Sequence, residues 1–254
     1  MSIKKDDYSI NAIEVLTDNI IWVWVIGRKA VVVDPAVAEP VSAWLQNNKL
    51  SLEAILQTHH HNDHIGGTLE LIKEWPKADV IAAKADIERI PFQNISVTGG
   101  DILQIMGQTI EVLSVDGHTK NHLAYYLHNG ELEGINPAVF CGDTLFGGGC
   151  GRLFEGTAKD MFKALKTLNS LPSNTEIYCA HEYTESNLRW ANQIDPNNLA
   201  IKTRLESVIN KRKNNFLSLP SSIEEERLTN LFLKAKSHEE LSALRSNKDN
   251  WKQK

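Results

Sequence analysis

Cysteine is scarce in this chain: Cys141, Cys150 and Cys179 are the only three among 254 residues. So small and odd a set excludes a disulfide framework and suits a reducing compartment, so a cytoplasmic location is expected. Excess positive charge is missing too. Lys and Arg number 27 against 32 Asp and Glu, a formal net charge of −5, which removes the basic footprint of a nucleic-acid partner. No apolar run nears the roughly 20 residues that cross a bilayer, so no membrane partner is expected. The opening Met-Ser-Ile-Lys-Lys-Asp-Asp-Tyr lacks the apolar core of a secretory leader. Gly147-Gly148-Gly149 has no Gly-Lys-[Ser/Thr] after it and makes a weak phosphate loop. A Ser or Cys nucleophile with its own His and Asp is also lacking. The remaining composition, 42% hydrophobic and 23% charged, is that of a globular protein. The length allows one large domain, or one domain with a smaller appendage. A small-molecule partner and a monomeric chain are expected.

Histidine, by contrast, is concentrated. Four imidazoles and a carboxylate fall within six residues, His59-His60-His61-Asn62-Asp63-His64. Imidazole and carboxylate suit zinc, iron or manganese. Residues two apart on an extended segment point the same way, so His59 and His61 can grip one ion. Asp63 and His64, past the bend, can grip a second. A solvated His-rich loop is the bland alternative. Against it, the run is internal and ends in Gly66-Gly67, which lets the backbone turn sharply.

Ile20 to Ile26 is apolar at odd and even positions alike, the mark of a strand buried on both faces. A second strand, Ala30 to Val33, ends in Asp34, which either caps the next turn or orients a metal ligand. A helix is expected over Pro40 to Asn47, a strand over Ala54 to Gln57, and a helix from Gly66 to Trp75 stopped by Pro76. Val80 to Ala83 reads as a strand, and Glu88 to Thr98 as irregular. Three later strands each run into a potential ligand: Ile110 to Val115 into His118, Ala138 to Cys141 into Asp143, and Ile177 to Ala180 into His181. Sites assembled at strand ends are held by the scaffold behind them. From Thr184 onward the pattern is helical and charged, with caps such as Ser222 and Ser237. The run Glu224-Glu225-Glu226 reads as a solvated helix face. A boundary is placed near residue 170, giving domains 1–170 and 171–254.

The run His-x-His-x-Asp-His resembles the signature of the metallo-β-lactamase superfamily. The resemblance implies a four-layer αββα sandwich, with the metal site at one edge of two sheets, followed here by a small helical domain. It also implies a ligand set: His59, His61 and His118 around one ion, Asp63, His64 and His181 around the other, Asp143 bridging both. Two divalent metal ions are expected, zinc first, with iron or manganese possible. A hydroxide in the shared position would then attack a carbonyl polarised by one ion. His60, His122, His128 and His238 follow no ligand pattern.

Further segments are similar to the glyoxalase II (hydroxyacylglutathione hydrolase) family: Cys-Gly-Asp-Thr-Leu-Phe at 141–146, Gly-Cys-Gly-Arg-Leu-Phe-Glu-Gly-Thr at 149–157, Ala-His-Glu-Tyr-Thr at 180–184 and Leu-Arg-Ser-Asn-Lys-Asp at 244–249. That likeness implies hydrolysis of S-D-lactoylglutathione to glutathione and D-lactate, the second step of methylglyoxal detoxification. It implies that Arg152, Phe154, Tyr183, Arg245 and Lys248 hold the glutathione part, 171–254 being the glutathione-binding domain. On charge alone, Arg245 and Lys248 would be a solvated tail. Asn62, Ile20, Arg152, Phe154 and Leu231 depart from the commoner family residues. Two competitors remain: a persulfide dioxygenase with one iron, and a non-catalytic metal-binding module. The second ligand set argues against the first, and the completeness of the set against the second.

Overall fold

The computed structural model describes residues 7–129 and 134–252. The expectation of no secretory leader rests mostly on residues 1–6, which lie outside the described residues. Among the described residues no helix is long and apolar enough to cross a membrane. The chain divides into two compact units, one within Met1–Ser114 and Leu123–Gly142, the other within Val115–His122 and Asp143–Lys254.

The first unit carries β1 (Tyr8–Val15), β2 (Asn19–Ile26), β3 (Lys29–Val33), β4 (Ser51–Leu56), β5 (Asp79–Ala83) and β6 (Ile95–Val97), adjacent in that order. β1, β2 and β3 pair antiparallel, and β3 to β6 run parallel. Parallel neighbours need crossovers. These are α1 (Glu39–Asn47) between β3 and β4, then the short α2 (Asn62–Ile65) and α3 (Thr68–Glu74) between β4 and β5. All of β2 is buried, as its unbroken apolar sequence requires. Ile21, Val23 and Val25 share a core with Val32, Ile55, Val41 and Leu45 of α1 and Leu71 of α3. Burying such a side chain contributes roughly 1.5–3 kcal/mol. A second set of strands, β7 (Ile102–Ile105), β8 (Gln108–Ser114), β9 (Leu123–Leu127) and β10 (Ala138–Gly142), forms an antiparallel meander. Tyr125 of β9 donates its hydroxyl to the Gln57 carbonyl at 2.9 Å, tying this meander to the end of β4. β1, β6 and β7 are strands that the sequence pattern did not place.

The second unit contains the two-residue strands β11 (Leu145–Phe146) and β12 (Gly149–Cys150), α4 (Ala158–Asn169), β13 (Glu176–Cys179), α5 (Thr184–Ile194), α6 (Leu199–Lys213), β14 (Ser221–Ser222) and α7 (Ile223–Thr229), α8 (Leu231–Lys234) and α9 (His238–Asn250). Helix α4 was not expected, although Thr157 and Asp160 form the capping box that announces it. The acidic run needs a correction. Glu224 is exposed, but Glu226 is fully buried. Its Oε1 accepts from Arg204 Nη2 at 2.7 Å and Ser221 Oγ at 2.6 Å. Its Oε2 accepts from Gly148 N and Asn230 Nδ2, both at 2.8 Å. A helical spacing of three to four sets Glu226 and Asn230 on one inward face, which a run of like charge does not reveal.

Candidate metal centre

Strand β4 delivers Thr58 and His59 from a buried position, and α2 begins only at Asn62, leaving His59 to His61 extended. Asp34, at the end of β3, organises this segment. It accepts from Thr58 N at 2.8 Å on Oδ1, and from Thr58 Oγ1 at 2.6 Å on Oδ2. His64 Nδ1 lies 3.0 Å from the same Oδ2. A carboxylate only accepts, so Nδ1 carries the proton and Nε2 is the lone-pair nitrogen. The Thr58 hydroxyl, having given its proton to Asp34, accepts from His59 Nδ1 at 3.1 Å, and Nε2 is again the lone-pair nitrogen. That Nε2 is 3.0 Å from His61 Nδ1. Asp63 Oδ2 stands 3.5 Å from His64 Nε2 and accepts from Asn19 Nδ2 at 3.1 Å. Asp34 thus holds the His64 imidazole and Thr58 through its carboxylate, contacts that a turn cap alone would not make. His60 turns elsewhere: Arg89 Nη1 is 3.2 Å from its Nε2.

In the second unit Asp143 stands between two imidazoles. Its Oδ2 is 3.4 Å from His118 Nε2 and its Oδ1 is 3.3 Å from His181 Nε2. His118 Nδ1 donates to the Arg152 carbonyl at 2.9 Å, which again leaves Nε2 as the lone-pair nitrogen. His122, fully buried, accepts from Asp143 N on Nε2 at 3.2 Å and so supports the carboxylate through its backbone. Gly151 has to be glycine, because a Cβ there would lie 2.0 Å from the Asp143 carbonyl. Tyr183 stacks on His181, ring centroids 4.8 Å apart and planes 4° from parallel. Phe154 sets its edge to His118 at 5.2 Å and is 63% exposed.

The remaining residues expected to bind glutathione lie in this unit as well. Arg152 is two-thirds exposed, its side chain 68% accessible. Arg245 is only 7% exposed and donates from Nη1 to the Cys150 carbonyl at 2.9 Å. Lys248 Nζ donates to the Ser186 carbonyl at 3.0 Å, 4.5 Å from the Trp251 ring centroid. Burial, with Arg245 and Arg152 nearby, lowers the Lys248 ammonium to about 8. Neither residue is the solvated tail that charge alone suggested.

Sequence reasoning missed Asn19 and His122. Their only signal was a polar residue at the start of a wholly apolar strand, and a second histidine four positions after His118. The donors fit divalent cations: in His59, His64 and His118 a neighbouring oxygen takes the Nδ1 proton and leaves Nε2 as the donor atom. Asp34→Asn is therefore expected to weaken metal binding roughly 10- to 100-fold, measured by competition with a chelator of known affinity.

A model of the metallo-beta-lactamase superfamily matches residues 15–181, and one described as hydroxyacylglutathione hydrolase C-terminus matches residues 182–251. The ETHE1 crystal structure from Myxococcus xanthus superposes with a TM-score of 0.67 at 25% identity, over 96% of this chain and 92% of that one. These likenesses define a metallo-β-lactamase-fold protein with a helical C-terminal region. Hydroxyacylglutathione hydrolase of Prochlorococcus marinus strain MIT 9211 is 59% identical over 251 residues, 99% of each chain. That of strain MIT 9303 is 59% identical over 248 residues, 98% of this chain and 95% of that one. The chain belongs to the hydroxyacylglutathione hydrolase family, and is a hydrolase.

Proposed function

We propose that the chain hydrolyses S-D-lactoylglutathione, or a close 2-hydroxyacyl relative, to glutathione and the hydroxy acid. The observation that carries this is Asp143, one carboxylate oxygen on each of two histidines, in a chain of this family. In this reading His59, His61 and His118 hold one divalent ion, Asp63, His64 and His181 a second, and Asp143 both, zinc being the first candidate. Ions held there would polarise the thioester carbonyl and bring a water pKa near 7. Asp34, Thr58 and the Arg152 carbonyl keep the imidazoles in the tautomer that ligation needs. The leaving thiolate derives from a thiol of pKa near 8.5, so no strong general acid is required of the chain.

Arg152, Lys248 and Arg245 supply positive charge for the carboxylates of glutathione, and Phe154 and Tyr183 flank the ligands His118 and His181. Residues 1–170 then carry most of the metal ligands and 171–254 the helices that complete the glutathione site. Three buried thiols fit a cytoplasmic setting. Lys248 gives a pH signature. Its cation is present below about 8 and lost above it. KM for the thioester is therefore expected to rise as pH passes 8, and Lys248→Arg to keep it flat to higher pH, in initial-rate assays.

Metal analysis of the purified protein, run beside lactoylglutathione hydrolysis, tests the whole reading. Turnover should vanish with chelator and return with zinc. A metal-loaded protein that leaves the thioester intact would refute it.

A further inference from the structure

Arg152, Leu153, Phe154, Arg245 and Asp249 line a cleft of about 480 Å³ whose charge is positive except at one residue, Asp249. Asp249 follows Arg245 by four positions on α9, so the two share a helix face. Its Oδ1 accepts from Arg245 Nε at 3.0 Å and lies 2.9 Å from Arg245 Nη2. The same oxygen is 3.7 Å from Arg152 Nε. Since Nη1 is given to the Cys150 carbonyl, every nitrogen of Arg245 already meets an oxygen of this chain. A ligand carboxylate seeks a two-nitrogen edge of a guanidinium. The Nε/Nη2 edge is the one Asp249 holds, from a side chain 41% exposed.

We infer that Asp249 is an affinity-setting residue, an internal counter-ion that competes with a ligand carboxylate for Arg245 and Arg152. It holds down affinity for anionic substrate and product alike, which favours release of glutathione after cleavage. The inference rests on the reading of this cleft as the glutathione end of the site. Removing one charge a few ångströms from a bound carboxylate changes affinity on the order of tenfold at low salt, and less as salt screens it.

Asp249→Asn removes the charge and keeps an oxygen for Arg245 Nε. Calorimetric titration of wild type and variant with glutathione, and with succinate as a plain dicarboxylate, reads the effect. Both ligands are expected to bind the variant about tenfold more tightly at low salt, with the gain shrinking at high salt. KM for lactoylglutathione and the inhibition constant of glutathione should fall together. Unchanged or weaker binding of both ligands overturns the inference and makes Asp249 a mere support for Arg245. A gain confined to glutathione overturns it too, because charge competition acts on any carboxylate. If thermal melting shows Asp249→Asn unfolded, Asp249→Ser removes the same charge and takes its place. Tighter succinate with no glutathione binding or hydrolysis by either protein keeps Asp249 as a counter-ion to Arg245 but overturns its part in glutathione release, together with the functional reading.

Discussion

Asp143→Ala is expected to lower turnover by roughly a thousandfold, the equivalent of several kcal/mol of lost transition-state stabilisation. It should lower bound metal in the same preparation. Asp143 offers one oxygen to each of His118 and His181, at 3.4 and 3.3 Å, so a single truncation removes the proposed link between two ions. The backbone there is held independently of the carboxylate. His122 accepts from Asp143 N, and Gly151 packs against the Asp143 carbonyl. The variant should therefore stay folded, which thermal melting checks. Full metal content with a near-normal rate would end the bridging proposal.

The second large effect concerns stability. Glu226→Ala leaves the Arg204 guanidinium buried with its main counter-ion gone and takes the acceptor from Gly148 N, while Ser221 and Asn230 each lose one bond and keep others. Breaking a buried pair from one side costs about 3–5 kcal/mol. In a chain of this size that is a fall in Tm of roughly 6–20 °C, readable by calorimetry. Arg204 keeps the carboxylate of Glu225 at 3.1 Å and the hydroxyls of Thr229 and Ser221, which sets the loss toward the lower end of that range. A Tm within a degree or two of wild type would show that the network carries little.

Much of the site was legible because its signals are local. The alternation of an extended segment told His59 and His61 from His60, and strand ends marked His118, Asp143 and His181. The strand over Ile20 to Ile26 announced its double burial in the same way. What failed to show was long-range. Asn19 reaches Asp63 across 44 positions, and Asp34, for which the sequence leaves an orienting role as one of two readings, gives no sign that its partner is His64, 30 positions on. No spacing rule links residues so far apart. Charge misled in two places: Glu226 looks solvated in a run of three, and Arg245 looks like part of a tail until its stacking over Phe232 is seen. Helix α4 is the exception among the missed features, because its signal is local: the capping box of Thr157 and Asp160 stands in the sequence.

The turn at Gly147 to Gly149 has a consequence for how this chain could be shortened. Asn230 donates to the Phe146 and Gly149 carbonyls at 3.3 and 2.9 Å, and Glu226 receives Gly148 N. Helix α7 and the residue after it thus act as a clasp on a loop some 80 positions earlier. The border at 181–182 between the two matched regions therefore falls between hydrogen-bonded partners. A chain ended there is expected to lose the order of the segment just after Asp143, because the polar groups that fasten it would have been cut away.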